Sequence, residues 1–363
     1  MLFYMQSIYF FIGTKAQAIK CISLLNVLSL DHNLSVVIVD SGQHAQITEN
    51  IFKNLNNQIK FLNLHTNEEN ISKYFQGITW FCKFIFKNLI FRSLKKENNK
   101  KHDICVIHGD TVSTLMGLLW GKRNNCKVLH LESGLTSRSL LNPFPEEIIR
   151  KITSKFSDIL ICFDSESYNR LLNKYKSKFV LEVSENTVVE TLGETSGENK
   201  LKKNLVTATL HRTENILSKK RVLSFIELIE KLSEKFDVNW YLHEPTMNSI
   251  KKFNLQISNK INLHDLLEHE DFINQLKFSK IVVTDGGSIQ EECFYLGTTT
   301  IIWRDRTERP YAINENMLVS YFNVKNSYEF VMNNLNKKIT LPKKNSSPSK
   351  EIYDFLKHKK LIN

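Results

Sequence analysis

The chain has 363 residues, of which 42% are hydrophobic and 24% charged, and this composition excludes a disordered or fibrous protein. Its net charge of +11 favours phosphorylated partners, but the lysines are spread along the chain without a nucleic-acid-binding motif, so we predict no nucleic-acid partner. Apolar runs stay below the ~18 residues that a transmembrane segment requires, and six scattered cysteines without a Cys-x-x-Cys pair favour a reduced, cytoplasmic compartment.

Short apolar runs alternate with amphipathic segments, which predicts parallel sheets with helices on both faces. The first half has a predicted helix at residues 16–30 and predicted strands at residues 7–12, 34–39, 103–107, 127–131 and 158–162. The pattern restarts with predicted strands at residues 205–210, 238–242, 281–284 and 299–303. Between the halves, residues 193–200 are polar and without periodicity, which predicts a linker.

We therefore predict an α/β protein of two Rossmann-like, doubly wound domains that face each other across a cleft. Residues 1–192 form the first domain, residues 193–345 the second, and residues 346–363 a C-terminal helix that packs back on the first. Ligands of such sheets bind beyond the carboxyl ends of the strands. The aromatic segment 77–94 predicts a helix in a core or dimer interface, with contact to a membrane surface as the alternative.

The most informative stretch is residues 285–292, Asp-Gly-Gly-Ser-Ile-Gln-Glu-Glu, directly after a predicted strand. Gly286 and Gly287 allow backbone N–H groups to approach a ligand closely, and the helix that starts beside Ser288 favours a phosphate. Glu292 then lies within reach of a ribose attached to that phosphate. A purely structural glycine corner is the alternative.

Other strand ends of the first half carry polar residues. Gly13 and Lys15 place a small-residue turn and a cation at a helix start, which suits a phosphate. Asp110 stands at another helix start, where N-capping is the alternative explanation. Glu132 follows its strand directly and has no such capping duty. Glu146 opens a helix in which Pro145 is expected at the first position, with a favourable helix-dipole interaction as the alternative.

In the second half, His211 and Arg212 end a strand with a titratable imidazole beside a cation, and His243 ends the next strand. Three carboxylates and His211 converging on one cleft would support general acid/base chemistry on a phosphate-bearing substrate. A histidine hydrogen-bonded within the hinge is the alternative for His211.

Nine short blocks resemble, in order, those of UDP-N-acetylglucosamine 2-epimerases over about residues 8–320. They are Phe11–Lys15, Gly42–His44, His108–Thr111, His130–Leu135, Pro145–Glu147, Asn186–Val188, His211–Arg212, Thr284–Glu292 and Arg304–Pro310.

The resemblance implies a glycosyltransferase-B-like fold and interconversion of UDP-GlcNAc and UDP-ManNAc, or of a closely related UDP-N-acetyl sugar. UDP is eliminated to leave a 2-acetamidoglucal and then added back after reprotonation of C2 on the other face. The implied catalytic residues are Asp110, Glu132, Glu146 and, acting across the cleft, His211. We predict no metal and no cofactor, a homodimer, and a role in surface polysaccharide synthesis.

The resemblance also implies binding residues. For UDP we predict Gly13, Lys15, Arg212, Gly286, Gly287, Ser288 and Glu292; for a second, activating UDP-GlcNAc we predict Gln43, Gln46 and His243. Among the departures, the family has Arg-Pro-Glu where this chain has Lys15-Ala16-Gln17, and Ser-Gly-Gly where it has Gly286-Gly287-Ser288.

Three other functions remain open from the sequence: a hydrolysing 2-epimerase that releases free ManNAc, a glycosyltransferase that uses a UDP-sugar, and a non-catalytic nucleotide-sugar sensor. The Pro145–Glu147 block resembles the non-hydrolysing branch and argues against the first. The complete carboxylate set argues against the sensor.

Overall fold

The computed structural model describes residues 5–43, 52, 59–64, 79, 83, 103–136, 145–192, 202–309, 313, 315–335, 337 and 347–363. The chain divides into two compact units, Met1–Thr191 with Asn345–Asn363 (unit 1) and Leu192–Lys344 (unit 2). The predicted linker and, apart from residues 79 and 83, the aromatic segment 77–94 lie outside the described residues.

Unit 1 contains a seven-stranded parallel sheet with the strand order β3-β2-β1-β4-β5-β6-β7. The strands are β1 Gln6–Ile12, β2 Leu34–Asp40, β3 Lys60–Asn63, β4 Ile104–His108, β5 Lys127–Leu131, β6 Ile159–Cys162 and β7 Phe179–Glu182. The helices are α1 Lys15–Ser29, α2 Val112–Arg123, α3 Glu146–Phe156, α4 Ser165–Lys174 and α5 Val188–Thr191. The order reverses between β1 and β4, so the loops after these strands diverge and leave room for a ligand at the carboxyl edge.

Alternation along the strands builds a core on each face of this sheet. On β1, Ile8 and Phe10 belong to the apolar cluster that contains Leu24 of α1. Phe11 points to the other face and joins the cluster that contains Trp120 of α2. The two helices are thereby fixed on opposite faces, and each starts at the carboxyl edge.

Unit 2 contains a six-stranded parallel sheet with the order β10-β9-β8-β11-β12-β13. The strands are β8 Lys203–Leu210, β9 Asp237–Leu242, β10 Ile261–His264, β11 Ser279–Thr284, β12 Thr299–Ile302 and β13 Met317–Val319. The helices are α6 Thr213–Ile216, α7 Lys219–Ser233, α8 Glu244–Lys252, α9 His269–Phe278, α10 Gly287–Tyr295 and α11 Val324–Asn334. Two parallel sheets with interleaved helices confirm the predicted fold class of two Rossmann-like domains.

The C-terminal helix α12, Pro348–His358, returns to unit 1 and packs against α1. Its apolar face inserts Ile352 and Leu356 into the α1 side of the core. Gln6 of β1 anchors the last residues, because its amide donates to the carbonyl of Leu361 and accepts the N–H of Asn363, both at 2.9 Å. Within the described part of the chain, no helix is long and apolar enough to cross a membrane.

Candidate functional site

Glu132 lies at the carboxyl edge of unit 1, directly after β5. Its backbone has a φ of 61°, in the left-handed region, which costs a residue other than glycine about 1–3 kcal/mol. The side chain is buried, and its Oε1 lies 3.0 Å from Nζ of Lys20. The Nδ1 of His108 lies 3.7 Å from the other oxygen. A buried carboxylate in strained backbone, held against a buried cation, is typical of a functional site.

Lys20 is a residue that the sequence analysis missed. It is only 4% exposed and lies on α1 between apolar residues that enter the core. Its carbonyl oxygen accepts the hydroxyl of Thr187 at 2.6 Å. A lysine at a core-facing helical position almost always has a buried partner, and this is the signal that could have found it.

Asp110 forms an ion pair with the buried guanidinium of Arg150. Asp110 does not cap α2: the N-cap is Thr111, whose hydroxyl accepts the N–H of Thr114 at 3.3 Å. The N-capping explanation of Asp110 is therefore wrong, because the neighbouring hydroxyl already fills that role. Arg150, which the sequence analysis also missed, has its Nη1 3.7 Å from Glu147.

Glu146 is the first residue of α3, and Pro145 is the N-cap rather than the first helical residue that was expected. Glu146 stands four residues before Arg150 and therefore on the same face of the helix. This places Glu146 beside the partner of Asp110. The three predicted carboxylates, Asp110, Glu132 and Glu146, all lie at the carboxyl edge of unit 1.

His130 holds the loop after β4. Its Nε2 lies 2.7 Å from the carbonyl oxygen of Gly109, which can only accept, so Nε2 carries the proton. Burial lowers the pKa of His130 to about 4, outweighing the opposite effects of this hydrogen bond and of the nearby Asp110 and Glu132. The ring is therefore neutral near pH 7 and ties β5 to the loop that carries Asp110.

Gly13 allows the loop after β1 to approach α2. A Cβ at this position would lie 1.8 Å from the hydroxyl oxygen of Ser113, so no larger residue fits without displacement. Ser113 in turn donates to the side-chain oxygen of Gln43 at 2.6 Å. Lys15, partly exposed, is the first residue of α1. Gly13, Lys15 and Gln43 thus share the carboxyl edge of unit 1, whereas Gln46 lies outside the described residues.

In unit 2, Asp285 follows β11 and is completely buried. It accepts the backbone N–H of Arg212 at 2.9 Å and the side-chain amide of Asn215 at 3.0 Å. Nδ1 of His211 lies 3.1 Å from the same carboxylate. Burial raises the pKa of Asp285, but the His211 charge and these hydrogen bonds outweigh it and hold the pKa well below its usual range.

The Asp285 carboxylate orients the ring of His211. The sequence analysis singled out the stretch that contains Asp285 but assigned Asp285 no role. The side chain of His211 remains 36% exposed, and Nδ1 is the ring nitrogen that lies near Asp285. The ring of His243 lies 4.7 Å from that of His211. Burial and the charge of His211 lower the pKa of His243 to about 4. His243, predicted for an activator site, is thus a neighbour of the predicted catalytic histidine.

The Gly286-Gly287-Ser288 turn begins α10, with Gly286 as an N-cap that has no side-chain cap. A Cβ on Gly286 would approach the His211 ring to 3.1 Å, and one on Gly287 would approach Arg309 Nη1 to 2.8 Å. Glycine therefore permits close contact with these two side chains. The N-terminus of α10 offers backbone donors and a partial positive charge to an anion.

Three arginines surround the buried Glu308 next to this turn. Arg304 and Arg309 each contact it at 2.9 Å, and Arg212 Nη2 lies 3.5 Å away. Arg212 also donates from Nε to the carbonyl oxygen of Asp285 at 3.0 Å. Arg212 and Arg309 also pair with Glu214 and Glu291, at 3.5 and 3.4 Å, so the three arginines are matched by three carboxylates. Arg304 and Arg309 lie in one of the nine blocks named above, but the sequence analysis assigned them no role.

Glu292 lies on the second turn of α10 and is buried. Its Oε1 lies 3.1 Å from Nε2 of His269, the first residue of α9. Ser288 is partly exposed at the start of the same helix. His211, Arg212, Glu292 and the glycine turn are thus brought to one edge of unit 2.

A separate cavity of about 630 Å³ lies at the opposite edge of the unit-1 sheet, where β5, β6 and β7 begin. Its lining includes Leu118, Ile152 and Phe179 and, as far as the described residues show, none of the predicted site residues. The candidate site is therefore at the carboxyl edges and not in this cavity.

Comparison with known proteins gives a consistent result. The sequence matches the family model for UDP-N-acetylglucosamine 2-epimerase over residues 26–359. The UDP-N-acetylglucosamine 2-epimerase of Campylobacter jejuni is 27% identical over 329 residues, which cover 83% of this chain and 82% of that protein.

Solved structures share the fold. The Neisseria meningitidis UDP-GlcNAc 2-epimerase bound to UDP-GlcNAc has a TM-score of 0.77 at 23% identity and covers 98% of this chain and 100% of its own. The Methanocaldococcus jannaschii UDP-GlcNAc 2-epimerase in complex with UDP-GlcNAc and UDP has a TM-score of 0.75 at 25% identity, with 97% and 99% covered. The chain belongs to the UDP-N-acetylglucosamine 2-epimerase family.

Proposed function

We propose that this enzyme interconverts UDP-GlcNAc and UDP-ManNAc, or a closely related pair of UDP-N-acetyl sugars, without hydrolysis. The observation that carries the proposal is the buried Lys20–Glu132 pair, set in strained backbone at the edge where Asp110 also lies. Such a set of ionisable groups suits proton removal and return at carbon. Family membership supports the substrate class.

The chemistry needs a base, an acid and a leaving group. The C2–H bond breaks, a carboxylate takes the proton, and the electron pair forms the C1–C2 double bond as the C1–O bond breaks toward UDP. In the return step, C2 is protonated on its other face and the UDP oxygen adds to C1. Asp110, Glu132 and Glu146 are the candidate proton carriers; Arg150 forms an ion pair with Asp110, and Lys20 forms one with Glu132.

We place UDP at the carboxyl edge of unit 2. The N-terminus of α10 and Arg212 would receive the diphosphate, because backbone donors, the helix dipole and a guanidinium all favour an anion there. Glu292, on the same helix, would accept hydrogen bonds from ribose hydroxyls. His211, oriented by Asp285, would stabilise or protonate the departing UDP oxygen.

We also propose that the enzyme is a cytoplasmic homodimer. Its product would supply N-acetylmannosamine units for the synthesis of surface polysaccharide. Following the resemblance, Lys15 and Gly13 would add to diphosphate binding, and Gln43, Gln46 and His243 to a second UDP-GlcNAc site. The resemblance of the sequence blocks supports these assignments.

One incubation tests the reaction. The enzyme is mixed with UDP-GlcNAc alone in deuterated water, and the products are followed by NMR. Deuterium at C2 with the UDP linkage intact, in both epimers, is the expected result. Release of free sugar would instead mark a hydrolysing enzyme, and absence of exchange without an acceptor would mark a transferase or a sensor.

A further inference from the structure

The cavity at the amino ends of β5, β6 and β7 has apolar walls. Leu118 and Leu119 of α2 and Ile152 and Phe156 of α3 line it. Its volume of about 630 Å³ lies within the range of roughly 300–1,000 Å³ that is usual for small-molecule sites. Phe156 is 51% exposed, so part of the apolar wall is accessible to a ligand. The cavity therefore suits a small organic molecule with an apolar part.

Charged residues line the same cavity, and most of them are lysines. They are Lys122, Lys127, Lys155, Lys178 and Asp158. Because four ammonium groups are accompanied by a single carboxylate, the lining has an excess of positive charge, and such an excess favours an anionic ligand.

Two of the four lysines already have partners. The ammonium nitrogen of Lys122 lies 2.7 Å from the carboxylate of Asp158. Lys178 donates to the carbonyl oxygens of Ser154 and Ser157, at 2.9 and 2.6 Å, and these oxygens do not neutralise its charge. Burial lowers the pKa of Lys178; Asp158 opposes this effect and the charge of Lys122 adds to it. The cations of the cavity therefore repel one another.

The other two lysines, Lys127 and Lys155, have no acidic partner within the part of the chain that the structure describes. The ammonium nitrogen of Lys155 lies 5.3 Å from the ring centre of Phe156, so a cation and an aromatic wall stand side by side. An anionic group in the cavity would supply the counter-charge that both lysines lack, while its apolar part would contact the neighbouring wall.

We propose that this cavity binds a small amphipathic anion, an aromatic or acyl group that carries one carboxylate, sulfonate or phosphate. The anionic group would bind Lys127 and Lys155, and the apolar part would lie against Leu119, Ile152 and Phe156. A protein partner fits less well, because the site has the size of a small-molecule pocket and lysine is depleted in protein interfaces.

This site is separate from the candidate carboxylates. Lys127 is the first residue of β5, and Glu132 follows its last residue. Five residues of strand at ~3.3 Å each place the two about 16 Å apart. The inference goes beyond the proposed function and does not depend on it, because it concerns binding at the other edge of the sheet.

A matched pair of fluorescent probes tests the proposal on the full chain. 1-Anilinonaphthalene-8-sulfonate carries an anionic group, and N-phenyl-1-naphthylamine has the same rings without it. Both are titrated in the presence of excess UDP, which keeps the probes from the proposed nucleotide site. The double variant Lys127→Met/Lys155→Met should bind the sulfonate about fivefold more weakly or worse, because two ionic contacts are lost. Its affinity for the neutral probe should stay within about twofold of wild type.

A second double variant, Lys151→Met/Lys174→Met, is the matched control. Both lysines are exposed, lie on α3 and α4 of the same unit and do not line the cavity. The substitutions make the same change in net charge, so both probes should bind as they do to wild type. Leu119→Trp should instead weaken both probes, because the larger side chain fills the cavity; a melting temperature near that of wild type shows that this variant is folded.

Competition identifies the anionic group. 2-Naphthoate and 2-naphthyl phosphate share one ring system, and the one that displaces the sulfonate probe at the lower concentration shows whether a carboxylate or a phosphate is preferred. Uncharged 2-naphthylmethanol should need a concentration about fivefold higher or more, since it lacks the contact with the lysines.

Three results would overturn the proposal. The first is unchanged binding of the sulfonate probe by Lys127→Met/Lys155→Met. The second is an equal loss in Lys151→Met/Lys174→Met, which would show an effect of net charge rather than a site. The third is a change in the sedimentation coefficient of Lys127→Met/Lys155→Met with probe binding intact, which would show that this surface contacts another protein chain.

Discussion

Lys20 places its ammonium nitrogen 3.0 Å from Oε1 of Glu132, and both side chains are buried. The two residues are 112 positions apart, so only the fold brings them together. Removing one partner of a buried ion pair leaves an uncompensated charge, which costs far more than loss of an exposed pair.

Lys20→Met should therefore lower the free energy of unfolding by about 3–5 kcal/mol and turnover by ~10²-fold or more. Glu132→Gln should lose a similar factor in turnover. The double variant should lose less free energy of unfolding than the sum of the losses in the two single variants, because the two residues interact directly. Urea unfolding and the C2 exchange assay measure these quantities.

Lys122→Met, which breaks the exposed pair with Asp158, is the control and should change stability and turnover by little. If the effects of Lys20→Met and Glu132→Gln simply add in the double variant, Lys20 and Glu132 are not coupled.

Asp110→Asn separates catalysis from stability. Since Thr111 caps α2, the replacement removes no cap. Asn can still accept a hydrogen bond from the buried Arg150, which keeps Glu147 as a second acidic neighbour, so the loss of stability should be about 1–2 kcal/mol, smaller than that of Lys20→Met. Turnover should fall by ~10²-fold or more, the scale of a positioned acid or base. Asp164 offers the matched contrast, because it is the N-cap of α4 and accepts the N–H of Ser167 at 2.7 Å.

Asp164→Ala should cost about 1 kcal/mol of stability while turnover per folded molecule is kept. Thermal melts and the exchange assay on both variants decide the point. If Asp110→Asn loses stability and activity in proportion, Asp110 is a structural residue and its catalytic role must be withdrawn.

His130 makes stability depend on pH. Its folded pKa of about 4 lies below the value of about 6.5 expected in the unfolded chain. The unfolded state therefore binds a proton at higher pH than the folded state, and stability is lost as the pH falls from about 6.5 to about 4. His130→Gln, whose amide can still donate to Gly109, should give a flatter profile of urea midpoints over this range. Exposed His358→Gln should keep the wild-type profile, and equal slopes in all three proteins would contradict a buried neutral ring.

The sequence predicted the interior of both sheets and missed their edges. β3, β7, β10 and β13 went unrecognised, and these are the edge strands of the two sheets. They have only three or four residues each, and residues such as Phe61, Phe179 and Leu263 are exposed. An edge strand is covered on fewer sides than a central one, so the continuous apolar run that marks a buried parallel strand is absent.

Among the residues of the candidate site, too, the sequence analysis singled out some and missed others. Asp110 and Glu132 in unit 1, and His211 in unit 2, were singled out because each follows the carboxyl end of a parallel strand, where ligands of such sheets bind. Lys20 and Arg150 lie within helices, and their roles depend on contacts with residues far away in the sequence, which no local pattern reveals. Asp285 was visible in the glycine-rich stretch, but its burial beneath His211 follows only from the neighbouring positions of β8 and β11.

Glu292→Ala should weaken UDP binding by roughly 1–3 kcal/mol, the scale of a lost charge-assisted hydrogen bond. Because His269 contacts Glu292 at 3.1 Å, His269→Ala should weaken UDP less, through a carboxylate that is less well held. Exposed Glu270→Ala, one residue further along α9, is the control and should bind UDP as wild type does. Calorimetry gives the affinities, and an unchanged value for Glu292→Ala would count against UDP at this helix.

His211→Asn tests whether the chemistry requires unit 2 beyond holding UDP. His211 is oriented by Asp285, and a histidine held in this way can stabilise or protonate the UDP oxygen in the transition state. The variant should bind UDP nearly as well as wild type and slow C2 exchange and epimerisation together by ~10²-fold or more. Exposed His264→Asn controls for loss of an imidazole elsewhere in unit 2 and should keep full turnover. If His211→Asn epimerises at the wild-type rate, His211 has no part in the reaction, and the acid/base steps must be assigned to the carboxylates of unit 1 alone.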